Sequence, residues 1–332
     1  MKTAISWLIR AAACAATLTL ATGAASAPPD AASGYPSRPM RIVVPYPAGG
    51  GTDVLARMIG QKFTETWGQS AIVENKPGAN GWIGNGAVAK AAPDGYTILL
   101  TISTVVYAPY LYDKLPYDVN RDLAPVSMLT RTPNLLVVPA SVPATTLEEF
   151  VELTRRQPGK FSYGSYGQGS TAHVAGETLN RQAGLDLTHV AYKGAAPLVS
   201  DLLGGQIQAG FVDASTMRPH AGSDKVRILA VSGTQRVGYL PDVPTFAERG
   251  YKGMELVGYF LMMAPAGTPK QIVGKLSGAA TAVLRMPENK ARIEEMGMTV
   301  VGSTPEELGL AMQTDGQIFG RAVAQANIKI EK

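Results

Sequence analysis

The sequence predicts an α/β protein built from two domains. Short β-branched runs alternate with longer stretches of helical periodicity along the chain. The 332 residues exceed what one hydrophobic core ordinarily organises, even after removal of a leader that leaves about 305. Two glycine-rich turns, one in each half, each follow a strand and open a helix.

The chain begins with a leader. Lys2 and Arg10 give a short positive region, Ala11 to Leu20 a short apolar one, and Ala25-Ser26-Ala27 the small-residue form that signal peptidases cut. Residues 1–27 therefore read as a signal peptide cleaved after Ala27, which sends the chain to the periplasm. A lipoprotein anchored through Cys14 is the rival reading, but Ala11-Ala12-Ala13 offers no leucine three before the cysteine. Cys14 is the single cysteine, so the cleaved chain holds no disulfide, thiol nucleophile or thiolate metal site. The formal charge of +4 falls to about +2 without Lys2 and Arg10. No basic stretch interleaves with aromatics, so nucleic acid is not an expected partner.

Arg41 to Val44 reads as the first strand, and Val54, Leu55, Met58, Ile59 and Phe63 place a helix over Thr52 to Trp67. Strands follow at Ala71 to Val73 and Thr97 to Ile102, with a helix near Ile83 to Ala91 between them. Leu135 to Val138 opens the second half. A helix from Thr146 to Arg156 starts on a capping box, Thr146 to Glu149. Phe161 to Tyr163, the second glycine-rich turn, and a helix from Ser170 to about Gln182 come next. Strands are expected at Thr188 to Tyr192, Ala209 to Asp213, Arg227 to Val231 and Leu256 to Met263. Helices open at Thr268-Pro269 and Thr304-Pro305, each a cap residue before a first-turn proline. Mainly parallel sheets are expected. The order places two crossings, near Asn134 and Val257, giving one lobe of residues 35–134 plus 257–332 and another of 135–256, joined by a two-segment hinge.

The candidate chemistry lies in the turns. The first, Tyr46-Pro47-Ala48-Gly49-Gly50-Gly51-Thr52-Asp53, and the second, Ser165-Tyr166-Gly167-Gln168-Gly169-Ser170-Thr171, put glycines and hydroxyls at helix starts. A helix start offers unpaired N–H donors and partial positive charge, so it attracts anions, and glycine lets a ligand approach the backbone. Either turn alone is also consistent with an ordinary strand–helix connection. Together they suggest a cleft. Neither matches a P-loop, since Gly49 to Lys62 lacks the Gly-Lys-Ser/Thr ending, nor a dinucleotide fingerprint. Ser165 and Ser170 lack the G-x-S-x-G elbow. His173, His189 and His220 form no H-x-x-x-H pair, so no metal site, cofactor or catalytic residue is expected. His173, one turn into its helix, either faces a ligand or is a half-buried structural histidine. Tyr192 and Asp213 end later strands. Tyr192 could wall a cleft, and Asp213 suits a ligand amine or hydroxyl, or a helix cap.

Along these segments the sequence resembles the substrate-binding proteins of tripartite tricarboxylate transporters, the Bug-type receptors. The matching phrases include Ile42 to Asp53, Val73-Glu74-Asn75-Lys76-Pro77-Gly78-Ala79, Ala92-Pro93-Asp94-Gly95-Tyr96-Thr97, Tyr192-Lys193-Gly194, Asp201 to Gln206, Leu240 to Thr245 and Ala264 to Pro269. The resemblance implies a periplasmic binding-protein fold, type II-like, with two α/β lobes closing on a small carboxylate. It implies a pincer formed by Tyr46 to Asp53 and Ser165 to Thr171, and a monomer that passes cargo to membrane transporter subunits. Di- and tricarboxylates, aromatic carboxylates and amino acids are all cargo of such receptors. Tyr166 departs from the family's usual small residue or proline. Two alternatives stay open: a sensor that presents ligand to a signalling partner, and an α/β enzyme acting on carboxylates.

Overall fold

The computed structural model describes residues 32–78, 81–112, 114–255, 257–325 and 328. The leader and its cleavage site lie outside the described residues. β1 (Met40–Val44), α1 (Gly51–Trp67), β2 (Ala71–Asn75), α2 (Trp82–Ala89) and β3 (Thr97–Ile102) alternate as the periodicity predicts. Next come α3 (Thr104–Tyr107), α4 (Val119–Asp122), β4 (Leu123–Thr132), β5 (Asn134–Pro139), α5 (Leu147–Arg155), β6 (Phe161–Ser165) and α6 (Thr171–Ala183). β7 (Leu187–Ala191), α7 (Ala195–Leu203), β8 (Ala209–Asp213), α8 (Ala214–Met217) and β9 (Val226–Val231) follow. The last elements are β10 (Gly258–Pro265), α9 (Lys270–Arg285), α10 (Pro287–Glu295), β11 (Thr299–Val300) and α11 (Pro305–Gln325).

The strands form two sheets. One has six strands in the order β11-β4-β10-β3-β1-β2, and the other has five in the order β7-β6-β8-β5-β9. Each sheet has apolar clusters on both faces. Ile42, Leu55, Ile59, Phe63 and Leu276 pack on one side of the larger sheet, and Leu99, Tyr107, Tyr259, Leu261 and Phe319 on the other. Phe150, Tyr163, Leu179 and Phe211 flank the smaller sheet on one side, and Leu135, Leu198, Leu202 and Val231 on the other. Helices on both faces let a parallel strand bury both of its sides.

The sheets are mixed, where the alternating pattern suggested mainly parallel ones. β1 runs parallel to β2 and β3, but β10 runs against both β3 and β4. β6 runs parallel to β7 and β8, but β5 runs against β8 and β9. The reason is directional. Val231 ends β9 in the smaller sheet, and the chain re-enters the larger one at Gly258, opposite Thr132 at the end of β4. A strand entering from the carboxyl end must run backwards. β5 does the same, because Asn134 at its start pairs with Asp213 at the end of β8. The carboxyl ends of the parallel strands in the two sheets are thereby turned towards each other.

Helix caps follow the sequence signals with two offsets. Thr304 Oγ1 accepts from Glu307 N–H at 3.1 Å, and the Glu307 carboxylate accepts from Thr304 N–H at 2.8 Å, a complete capping box. Thr146 caps α5 through Glu149 N–H, but the Glu149 carboxylate reaches back one residue further, to Thr145 N–H at 2.7 Å, so the expected capping box is not reciprocal. Thr268 does not cap α9. Its hydroxyl donates to the Pro265 carbonyl and Lys270 is the first helical residue. Among the described residues, no helix is long and apolar enough to cross a membrane.

Candidate functional site

Both glycine-rich turns sit where the carboxyl ends of parallel strands meet, one after β1 and one after β6. Asp53 organises the first. Its buried carboxylate accepts from Gly49 N–H at 3.0 Å, from Arg57 Nε at 3.0 Å and from Asn75 Nδ2 at 3.0 Å. Asn75 Nδ2 also reaches the Tyr46 carbonyl at 3.1 Å. These bonds, led by the one from Arg57, outweigh burial and hold the Asp53 carboxyl below its ordinary range. Asp53 therefore anchors the turn from beneath. Ala48, Gly49 and Gly50 stay exposed, and Gly49 adopts φ +90°, which glycine alone adopts readily. Gly50 is the N-cap of α1 and makes no side-chain capping bond, so the helix start offers donors outward.

The second turn is more heavily internally bonded. Ser170 caps α6 by accepting from His173 N–H at 3.2 Å, and His173 Nδ1 accepts from Gly169 N–H at 3.0 Å. His173 thus points inward, stacked on His189 with ring centroids 3.7 Å apart. Burial, reinforced by His189, lowers its pKa to about 3, and burial lowers that of His189 to about 4. His189 Nε2 lies 2.8 Å from Ser165 Oγ. That pairing of serine and histidine was not legible from spacing. It is a poor nucleophile–base couple: Ser165 is fully buried, and an imidazole with so low a pKa draws protons weakly. It ties β6 to β7.

Tyr166 links the turn to the crossing. Its hydroxyl donates to Asn134 Oδ1 at 3.0 Å and meets Thr171 Oγ1 at 2.6 Å, while Asn134 Nδ2 donates to the same threonine at 3.1 Å. The Tyr166 phenol also helps to raise the pKa of Tyr46, whose own burial is the larger cause. Both turns reach the head of β10: a Cβ on Gly51 would lie 3.0 Å from the Phe260 ring and 3.7 Å from Ser215 Oγ, which belongs to the helix capped at the end of β8, and a Cβ on Gly258 would lie 3.7 Å from Thr171 Oγ1.

Two of the other candidate residues have their side-chain polar groups engaged by neighbours within their own half of the chain. Asp213 caps α8, accepting from Thr216 N–H at 2.9 Å and from the hydroxyls of Thr216 and Ser215. Tyr192 donates to Asp201 at 2.7 Å and packs on the α7 side of its sheet. Further contacts join the halves: Arg218 Nε donates to the Glu295 carbonyl at 2.9 Å, and Arg181 to Gln325 at 3.2 Å.

Sequence reading missed a group of buried polar atoms without a close hydrogen-bond partner, some of which lie beside one another, as Thr101 does beside Tyr46 and Tyr107 beside Tyr259. Among the described residues these are Tyr46 Oη, Trp82 Nε1, Asn85 Oδ1, Thr101 Oγ1, Tyr107 Oη, Thr132 Oγ1 and Tyr259 Oη. All lie at one end of the larger sheet. Tyr46 follows β1, Thr101 ends β3, Tyr107 follows β3, Thr132 ends β4, Tyr259 starts the reversed β10, and Trp82 and Asn85 open the helix after β2. Buried polar groups in native proteins are nearly always paired, so close partners are scarcest at the end of this sheet that faces the other one. No motif announces it, because a threonine or tyrosine in a strand becomes an orphan only through its three-dimensional surroundings. Among the described residues no cluster of three or more metal-ligating side chains occurs.

Residues 55–326 match the family described as tripartite tricarboxylate transporter family receptor. Protein BugT of Bordetella pertussis (strain Tohama I) is 33% identical over 307 residues, which is 92% of this chain and 94% of BugT. The structure of the periplasmic binding protein BugD is similar with a TM-score of 0.81 at 34% identity, over 90% of this chain and 100% of that one. Rpa4515 of R. palustris, solved with adipate, gives a TM-score of 0.84 at 32% identity, over 89% of this chain and 99% of that one. The fold is that of two-lobed periplasmic binding proteins.

Proposed function

Because this chain belongs to the tripartite tricarboxylate transporter receptor family, we propose that it is a periplasmic receptor that captures a small carboxylate between its lobes. The lobes comprise residues 35–134 plus 257–332 and residues 135–256, and the cargo passes to the membrane subunits of a transporter. The family is one of solute receptors rather than enzymes. The observation that supports the reading is that two glycine-rich helix starts, α1 and α6, each reach the head of β10, at Phe260 and at Gly258. Adipate in Rpa4515 supports a carboxylate as the anion.

The residues divide by role. Gly50, Gly51 and Thr52 offer the donors of the first turn, with Tyr46, Ala48 and Gly49 shaping it and Asp53 anchoring it. Thr171 offers those of the second, with Ser165, Gly169, Ser170 and His173 holding it in place. Asp213 and Tyr192 support the lobe. A micromolar site requires about −8 kcal/mol. Hydrogen bonds to a charged group contribute about 1.5–3 kcal/mol each, and a helix start adds up to about 2. Four to six such bonds reach that total without a cation.

Thermal unfolding against a panel of carboxylates at about 1 mM tests the proposal. A ligand at 100 times its Kd adds about 2.7 kcal/mol of stability. The expected outcome is a clear shift for at least one carboxylate that vanishes with its amide. No shift with aliphatic, aromatic and amino-acid carboxylates alike contradicts it.

A further inference from the structure

The start of α6 spends its donors on the protein itself. Gly169 N–H donates to His173 Nδ1, Ser170 N–H to the Gly167 carbonyl at 3.1 Å, and His173 N–H to Ser170 Oγ. Tyr166 engages further donors. Its one phenol proton goes to Asn134 Oδ1 at 3.0 Å, so the 2.6 Å contact with Thr171 Oγ1 is closed by the threonine's proton. Asn134 Nδ2 donates to that threonine oxygen and completes a ring of bonds through all three side chains. The Ala172 N–H acts on the same phenol oxygen: burial raises the phenol's pKa, and Thr171 and Ala172 partly offset the rise.

We infer that Tyr166 is a built-in competitor for cargo at the second turn: its phenol oxygen occupies the Thr171 hydroxyl and the Ala172 N–H, and a carboxylate gains those donors only by displacing it. This rests on the carboxylate-capture reading and assigns a regulation to the same site.

The chemistry favours exchange over permanent closure. The phenol oxygen accepts a hydroxyl and a helix-start N–H as a carboxylate oxygen would, but it is neutral. Hydrogen bonds to a charged group are stronger, and the helix start favours an anion. Tyr166 is half-buried, whereas Ser170 and His173, which engage other donors, are 3% and 6% exposed. It is therefore the occupant that can leave without opening the core. Its surroundings belong to both halves of the molecule. The Tyr166 phenol adds to the rise that burial causes in the pKa of Tyr46 and of Tyr107, and Asp213 at the end of β8 acts on Tyr166 in turn. The exchange also falls between the chain crossings. Asn134 opens β5, and Gly258, which packs on Thr171, opens β10.

The test is calorimetric titration of the full chain and of Tyr166→Phe with succinate, adipate, benzoate and glutamate. Phenylalanine keeps the ring and removes the competing oxygen. The expected result is that at least one acid binds Tyr166→Phe about tenfold more tightly than wild type. The unfolding midpoint measured without acid should fall in the same variant, because the phenol's own bonds are lost. Competition alone predicts a tighter site in a less stable protein; a purely structural role would weaken both. A second measurement keeps the hydroxyl: 3-fluorotyrosine is placed at position 166 alone and followed by fluorine NMR. Its resonance should move on addition of an acid that binds. Should Tyr166→Phe not fold, the resonance decides. Equal or weaker binding by the variant overturns the competitor, as does a midpoint that does not fall or a resonance that a bound acid leaves unmoved. In each of those cases binding by wild type leaves carboxylate capture standing. If no acid binds either protein, both fail.

Discussion

The two glycine-rich turns look alike in sequence yet are held in different ways. The first is anchored from below by one carboxylate, Asp53, with Arg57 and Asn75, and its helix start carries no side-chain cap. The second is laced from within: Ser170 caps, His173 takes the Gly169 N–H, and Tyr166 and Asn134 hold the Thr171 hydroxyl. One turn commits the Gly49 N–H to its anchor but leaves its helix start without a side-chain cap, and the other has several donors already engaged. Spacing of glycines picks out the two helix starts, but side-chain chemistry around each decides how many donors it has to offer. The proposed pincer is therefore asymmetric, with the first turn as the principal donor surface.

The largest expected effect comes from removing the anchor of the first turn. Asp53→Ala strips three hydrogen-bonded partners from a buried carboxylate and should cost about 2–3 kcal/mol in urea unfolding. Carboxylate binding should weaken along with it. A stability loss with binding intact would show that the turn needs no anchor to present its donors.

The second turn should reveal itself through acid. His173 and His189 are neutral in the fold, with pKa values lowered to about 3 and about 4. In the unfolded chain each takes up a proton near pH 6.5. Stability is thus full above about pH 7 and falls as the pH drops below 6.5 towards the folded values. By pH 5 the loss is about 2 kcal/mol for His173, and less for the more exposed His189. Urea unfolding at pH 7 and pH 5 measures it, and the double variant His173→Gln, His189→Gln should flatten the difference. Equal stability at both pH values in the wild type would mean that the stacked pair is not buried as described.

A smaller effect sharpens the contrast between capped and uncapped helix starts. Gly50 has an ordinary extended conformation (φ −78°, ψ 169°) with open space at its Cβ position, so Gly50→Ser fits without strain. The new hydroxyl caps α1 and should add a few tenths of a kcal/mol, while taking an N–H that a ligand would use. Stability should rise slightly as affinity falls about tenfold. Unchanged affinity would remove the start of α1 from the binding surface.

Much of this architecture was legible, for physical reasons that also explain the gaps. The turns stand out because strand, glycine run and helix follow each other with sharp changes of period. β4 (Leu123–Thr132) escaped notice because Pro125, Ser127, Thr130 and Arg131 interrupt its apolar run, although tertiary pairing with β10 makes it the longest strand in the sheet. Helix α7 (Ala195–Leu203) was hidden by Pro197, which is tolerated in the first turn, where its missing N–H needs no partner. Antiparallel β5 and β10 follow from the direction in which the chain enters each sheet, which no local pattern encodes. His173 shows the limit at the site: helical spacing allowed it to face either a ligand or the interior, and the Gly169 N–H together with the His189 ring turns it inward.

The central claim is that helix starts from both lobes hold one carboxylate. A crystal structure with the acid that gives the largest thermal shift tests it most directly. The account predicts one carboxylate group within hydrogen-bond distance, about 3 Å, of N–H or hydroxyl donors from both Gly50 to Thr52 and Thr171, directly or through a single water. A carboxylate bound by one turn alone, or seated away from both, would contradict it.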